Sequence, residues 1–463
     1  MKRFVRVFTT GLAFLATLLF SSEGKYEPAW ESLDSRPTPP WFEDAKFGIF
    51  IHWGVYSVPA FAPTEGVNIY ARYAEWYWNR TSNPSQEGYS VFKAFHDRVY
   101  GPGFKYQDFA DRFKAEMFNP EEWAGVFKRS GARYVVLTSK HHDGFCLWPS
   151  AESWNWNAVD VGPHRDLAGD LIKAVKATGL KMGFYYSLYE WFNPLYRSDP
   201  VRYVDQHMMP QMKDLVVRYE PDLFWTDGEW DRPSRDWRAE EYLAWLFNDS
   251  PVGKTVAVND RWGKETRGLH GGYYTTEYGL VHDKNASGET MRHPWEECRG
   301  IGFSFGYNRA ETLKDYSTPE KLVHLLVDVV SRGGNLLLDI GPSADGRIPV
   351  IMEERLLQIG EWLGANGEAI YGTRPWRIAS ESENVRFTAR GDTVYAILLR
   401  RPGPSLVLAE PKPGKGTSVR LLGSNAPLSW TLSGGKMRIE IPVRVLLDLP
   451  PAPAYAVKLV GVK

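Results

Sequence analysis

The chain has 463 residues, 43% hydrophobic and 24% charged, which is the composition of an ordinary globular protein with room for a large core and two domains. The formal net charge is −1 and there is no basic block, which argues against a nucleic-acid partner. Aromatic residues reach 14%, with 19 Trp, which suits packing against sugar C–H faces; a large aromatic core gives the same count.

The N-terminus reads as an export signal, residues 1–22. Lys2, Arg3 and Arg6 precede an apolar stretch, 11–20, and the small residues Ser21, Ser22 and Gly24 follow. A retained anchor is the alternative, but the stretch is short for a membrane span. The expected protein is exported: periplasmic or extracellular in a bacterium, lysosomal or secreted in a eukaryote, with no membrane contact after cleavage.

From about 45 to 365, short apolar runs alternate with helical patterns. Strands are predicted at 47–52, 134–139, 181–187, 222–227, 255–260, 273–277, about 301–306 and 335–340. Helices are predicted near 106–116, 120–130, 166–178, 200–219, 238–247, 319–332 and 351–365. This alternation predicts an α/β fold, a (β/α)8 TIM-like barrel over 26–372. Residues 54–105 read as a long loop at its mouth. From 373 to 463 the pattern becomes short alternating runs, near 385–388, 394–399, 406–408, 419–422, 437–441 and 455–460. Gly, Pro and Ser separate them, which predicts a C-terminal antiparallel β-sandwich. It lacks a clustered aromatic site, which favours a structural role.

Several predicted barrel strands end in polar bursts, and in this fold the C-terminal strand ends hold the chemistry. The first delivers His52-Trp53-Gly54, the second Lys140-His141-His142-Asp143 and the fifth Asp260-Arg261-Trp262. The fourth, Leu223-Phe224-Trp225-Thr226-Asp227, stops on a carboxylate before Gly228. Asp227 is therefore either a catalytic carboxylate or a turn cap. His52, His141, His142 and Asp143 invite a metal reading, but no ligand spacing supports one, so no metal or other cofactor is expected. The imidazoles suit hydrogen bonds to substrate hydroxyls.

Glycoside hydrolysis calls for a second carboxyl group. Glu277 follows Tyr273-Tyr274-Thr275-Thr276, and Glu296 stands beside Trp295, where an apolar ring would raise its pKa. Glu75, in Tyr73-Ala74-Glu75-Trp76, reads as a sugar ligand. Cys146 reads as an inert buried thiol, and a bridge to Cys298, the other cysteine, stays open.

Taken together, these segments resemble the α-L-fucosidases of glycoside hydrolase family 29. The stretches that carry the resemblance include Phe47-Gly48-Ile49-Phe50-Ile51-His52-Trp53-Gly54, Glu75-Trp76, Lys140-His141-His142-Asp143-Gly144 and Phe224-Trp225-Thr226-Asp227-Gly228-Glu229-Trp230. Further on are Asn259-Asp260-Arg261-Trp262, Gly302-Phe303-Ser304-Phe305-Gly306-Tyr307-Asn308 and Asn335-Leu336-Leu337-Leu338-Asp339. The resemblance runs from about 26 to 373 and, loosely, beyond. It implies an exo-acting, retaining hydrolase of terminal α-L-fucose on fucosylated oligosaccharides or glycoconjugates. A fucose-binding pseudoenzyme of the same fold is the alternative. By motif, Asp227 resembles the nucleophile. His52, Glu75, Trp76, His141, His142, Tyr185, Trp225, Arg261 and Phe305 resemble the fucose-binding set. Some members are similar in placing the acid/base one residue beyond 277, but here that residue is Tyr278. This favours Glu277 as acid/base, with Glu296 in reserve.

Overall fold

The structure is a computed structural model that describes residues 25–279, 293–424 and 426–463. The predicted export signal lies outside the described residues. Among those described, no helix is long and apolar enough to cross a membrane.

The barrel strands are β1 (Phe47–Ile51), β2 (Tyr134–Lys140), β3 (Lys181–Ser187), β4 (Leu223–Asp227), β5 (Ala257–Val258), β6 (Tyr274–Glu277), β7 (Trp295–Gly300) and β8 (Gly334–Ile340). They pair in parallel in the order β5-β4-β3-β2-β1-β8-β7-β6. Between β5 and β6 the contact narrows to one bridge, Asn259 with Tyr273. Most strands are continuous apolar runs because a parallel sheet is covered on both faces. Ile49, Ile51, Val135, Leu137, Phe224, Leu336 and Leu338 face the surrounding helices. The alternate residues Phe50, Tyr134, Val136, Leu223, Trp225 and Leu337 fill the lumen. Burying each such side chain is worth roughly 1.5–3 kcal/mol. Gly48 lets the Tyr134 ring cross the lumen, since a Cβ there would stand 2.4 Å from Tyr134 Cζ.

The outer helices begin on readable caps. Asn119, Asp166 and Thr318 accept backbone N–H groups at the starts of helices Pro120–Arg129, Leu167–Ala177 and Pro319–Ser331. The predicted helix 200–219 is broken into Pro200–Tyr203, a π-helical turn Val204–Met208 and Met209–Tyr219. Pro210 supplies no backbone N–H, which fits the opened register before it. The predicted helix 106–116 is a 3-10 turn, Tyr106–Arg112. The predicted mouth loop, 54–105, holds helices Tyr77–Ser82 and Tyr89–Val99.

The seventh strand corrects the sequence reading: it is Trp295–Gly300, not 301–306. Its charged residues hid it, and each finds a partner in the fold. Glu296 bonds inside the barrel, while Glu297 takes Thr276 and Arg299.

The C-terminal strands are β9 (Arg374–Ser382), β10 (Val385–Arg390), β11 (Thr393–Leu398), β12 (Ser405–Leu408), β13 (Pro413–Leu421), β14 (Pro427–Ser433), β15 (Lys436–Glu440) and β16 (Tyr455–Val462). They pair in the order β12-β15-β14-β13-β16-β11-β10-β9, and each recorded pairing is antiparallel. Val385 and Phe387 from one end of that order share a core with Leu408 and Met437 from the other, so the sheet folds over on itself. β9 and β14 were not anticipated: their exposed polar residues blur the alternation. The module docks on the barrel through Trp362 Nε1 to Ala454 O (2.8 Å) and Arg386 Nε to Asp328 Oδ1 (2.8 Å).

Candidate active site

A cavity of about 490 Å³ opens at the C-terminal ends of the barrel strands. Asp227, the last residue of β4, stands in its wall and is 8% exposed. Its Oδ1 accepts from Arg261 Nη1 at 2.7 Å and its Oδ2 from the Tyr185 hydroxyl at 2.9 Å. Arg267 Nη2 stands 3.6 Å from Oδ1, and His142 Nε2 stands 3.9 Å from Oδ2. Burial alone would raise this carboxyl's pKa. The two guanidinium charges and the hydrogen bonds from Arg261 and Tyr185 outweigh burial and hold it below the usual carboxylate value.

Glu277 closes β6 on the far side of Arg261, whose Nη2 is 3.6 Å from Glu277 Oε2. The Tyr73 hydroxyl donates to Oε1 at 3.0 Å. Burial pushes this carboxyl up, Arg261 opposes that shift, and the Asp227 charge adds to it. One guanidinium therefore touches two carboxyl groups whose pKa values are driven apart. Arg261 is fixed by Thr275 Oγ1 (Nε to oxygen, 2.9 Å) and by the Trp225 ring face, 4.2 Å away.

Three imidazoles line the wall. Burial, then mutual repulsion, holds His52, His141 and His142 well below the ordinary histidine value, so they are neutral. Ser187 Oγ donates to Tyr189 O, so it accepts from His142 Nδ1, and His142 Nε2 is left as an acceptor toward the cavity. His52 Nδ1 lies 2.6 Å from Asp339 Oδ1. Burial lowers the imidazole's pKa and raises the carboxyl's, and both shifts disfavour an ion pair here. Glu75 is pinned by the Gly306 N–H at 2.8 Å, and burial pushes its carboxyl up to about 7. Trp76, Trp225 and Phe305 supply ring faces, Phe305 standing 4.9 Å from the His52 ring. Among the described residues, no group of three or more His, Cys, Asp or Glu is placed to hold a metal ion.

The fold thus gathers at one cavity every residue the sequence singled out for the site except Glu296. Glu296 is fully buried in the lumen, accepting from Trp225 Nε1 at 2.9 Å and from the Tyr134 hydroxyl. Parallel register pairs Glu277 with Cys298 and Thr275 with Glu296, so Glu296 lies two residues deeper, about 7 Å at ~3.3 Å per residue. Glu296 therefore does not line the cavity, whereas Glu277 does. Tyr278 is also structural: its hydroxyl donates to Phe303 O and accepts from Gly300 N. Cys146 and Cys298 are buried free thiols. Of the cavity residues, Tyr70, Tyr73, Tyr189, Trp230 and Arg267 were not foreseen. Tyr73, two residues before Glu75, and Trp230, three residues after Asp227, did carry a signal.

Burial pushes the Glu296 carboxyl up to about 7, from an ordinary 4.5. Its ionisation cost is absent at low pH and reduces stability as pH rises from about 4.5 to 7, at about 1.4 kcal/mol per unit. Glu296→Gln is expected to keep the Trp225 bond and flatten that decline. Melting temperatures of both proteins from pH 4 to 8 check this.

A (β/α)8 barrel that sets two carboxyl groups of opposed pKa around one sugar-sized cavity defines a glycoside hydrolase. Residues 13–368 match the family model described as alpha-L-fucosidase, and 379–460 match the alpha-L-fucosidase C-terminal domain. The chain is 44% identical to an alpha-L-fucosidase of Branchiostoma floridae over 98% of its own length and 100% of the relative's. It is 45% identical to the tissue alpha-L-fucosidase of Homo sapiens, covering 95% and 92%. A crystal structure of Thermotoga maritima alpha-fucosidase with a mechanism-based inhibitor superposes with a TM-score of 0.81 at 39% identity, covering 94% of this chain and 100% of that one. The chain belongs to the α-L-fucosidase family, and its activity is the hydrolysis of α-L-fucosides.

Proposed function

We propose that Asp227 is the nucleophile and Glu277 the general acid/base of a retaining double displacement on terminal α-L-fucosides. The supporting observation is their opposed pKa directions around Arg261. Asp227 is kept ionised to attack, and Glu277 is kept protonated to donate. Arg261 holds Asp227 Oδ1, and Oδ2, which takes only the neutral Tyr185 hydroxyl, is the oxygen that attacks the anomeric carbon. As that bond forms, the glycosidic C–O bond breaks and Glu277 gives its proton to the departing oxygen. Glu277, now a carboxylate, takes a proton from water; the water oxygen attacks the same carbon and Asp227 leaves. Two inversions retain the configuration.

His52, Glu75, Trp76, His141, His142, Tyr185, Trp225, Arg261 and Phe305 hold the fucose. The neutral imidazoles and buried Glu75 serve its hydroxyls, and the Phe305 ring meets its methyl group. Fucosylated oligosaccharides and glycoconjugates are the substrates. Residues 26–372 form the catalytic unit and 373–463 a packing module. The apolar, basic-flanked N-terminus directs export. Proton NMR of an α-L-fucoside under hydrolysis should show α-L-fucose first, with the β-anomer growing only by mutarotation. β-L-Fucose first would overturn the retaining mechanism, and binding without release would mark a pseudoenzyme.

A further inference from the structure

Arg267 is not required by the two-step scheme above, yet it lines the cavity and its side chain is 9% exposed. Its Nε donates to Glu229 Oε1, and its Nη2 stands 3.6 Å from Asp227 Oδ1. Glu229 is itself 1% exposed, and its other oxygen, Oε2, has no partner among the described residues. Arg267 is thus a buried cation aimed by Glu229 at the same Asp227 oxygen that Arg261 already holds, the one that does not attack. A single Arg261 would satisfy a structural carboxylate. Two guanidinium groups on one oxygen make a site that favours the ionised carboxylate and the departure of Asp227 in the second step.

We propose that Arg267 is a second cationic catalytic residue on Asp227, and that Glu229 is its positioning residue. This rests on Asp227 being the nucleophile. The other groups facing Asp227 are Tyr185 from β3, His142 beyond β2 and Arg261 beyond β5, with Glu277 on β6 and the imidazoles of His52 and His141 at longer range. The imidazoles are neutral and Tyr185 stays a phenol, so Arg261 and Arg267 are the fixed positive charges on it.

The sign follows from the charge. Asp227 must be ionised to attack, so the acid limb of kcat/KM reports its titration in the free enzyme. Removing a cation at this distance moves that limb upward by about one pH unit. On the acid side, kcat/KM then falls about tenfold relative to the parent. Arg267→Met strands Glu229, which burial already holds above its ordinary pKa and which would take up a proton. Arg267→Met with Glu229→Gln supplies that neutral state and guards against misfolding.

The test is the pH profile of kcat/KM on an aryl α-L-fucoside. Arg267→Met and the double variant should both shift the acid limb upward. Arg267→Lys should hold it near the parent's position, and Glu229→Gln alone, which removes only the anion, should not shift it upward. A merely structural contact would lower activity alike in all four and leave the limb in place. An acid limb unmoved in the double variant overturns the proposal. If azide restores turnover to Asp227→Ala, that failure belongs to Arg267; if it does not, the nucleophile assignment has failed as well.

Discussion

Asp227→Ala is expected to lose on the order of 10³-fold or more in kcat on aryl α-L-fucosides, because no other group can form the glycosyl ester. Removal leaves an anion-sized hole facing Arg261 Nη1, with Arg267 Nη2 and the Tyr185 hydroxyl around it. Azide or formate should enter that hole and attack from the same side. Azide would then yield β-L-fucosyl azide, the inverted product, identifiable by NMR. Substantial residual turnover, or an azide product of α configuration, would show that the attacking group is elsewhere. The uncompensated guanidinium groups should also lower the melting temperature, which is measured separately from the rescue.

Glu277→Gln is expected to separate substrates by leaving group. With a poor leaving group the departing oxygen needs a proton in the transition state, and the loss should reach about 10²–10⁴-fold. With an activated aryl fucoside, formation of the fucosyl-enzyme should be nearly unaffected. The pH profile carries a second signature. Glu277 is held above its ordinary pKa by burial, against the pull of Arg261 and with the help of the Asp227 charge. It must be protonated to donate, so activity is lost as pH rises through that value, and the variant should lack the alkaline limb. Glu296→Gln should show a small loss that is the same for every leaving group, since its carboxyl bonds Trp225 and Tyr134 and stays below the cavity floor. The opposite pattern in the two variants would exchange their roles.

The sequence by itself determined a good part of this protein. The apolar runs ending at His52, Lys140, Ser187 and Asp227 marked β1 to β4, because a strand buried on both faces has no polar positions to blur it. The same logic made Asp227 conspicuous, a carboxylate closing a run that is otherwise aromatic and aliphatic. The C-terminal module was legible as a change of period, although β9 and β14, which carry no fully regular apolar alternation, were not.

Only the tertiary structure decided the rest. β7 escaped because Glu296, Glu297 and Arg299 look like loop residues until their partners on β4, β2 and β6 are in place. Glu277 and Glu296 are equally aromatic in context, and the sequence favoured Glu277 only by its place at the end of a predicted strand and by the resemblance. Parallel register gives the physical reason, by setting Glu277 at the strand end and Glu296 two residues down inside the lumen. Tyr73, Asp339 and Arg267 act through contacts with Glu277, His52 and Asp227 that span 204, 287 and roughly 40 positions of chain. Such pairings are set by how the barrel closes and its loops fold back, which no window of sequence contains.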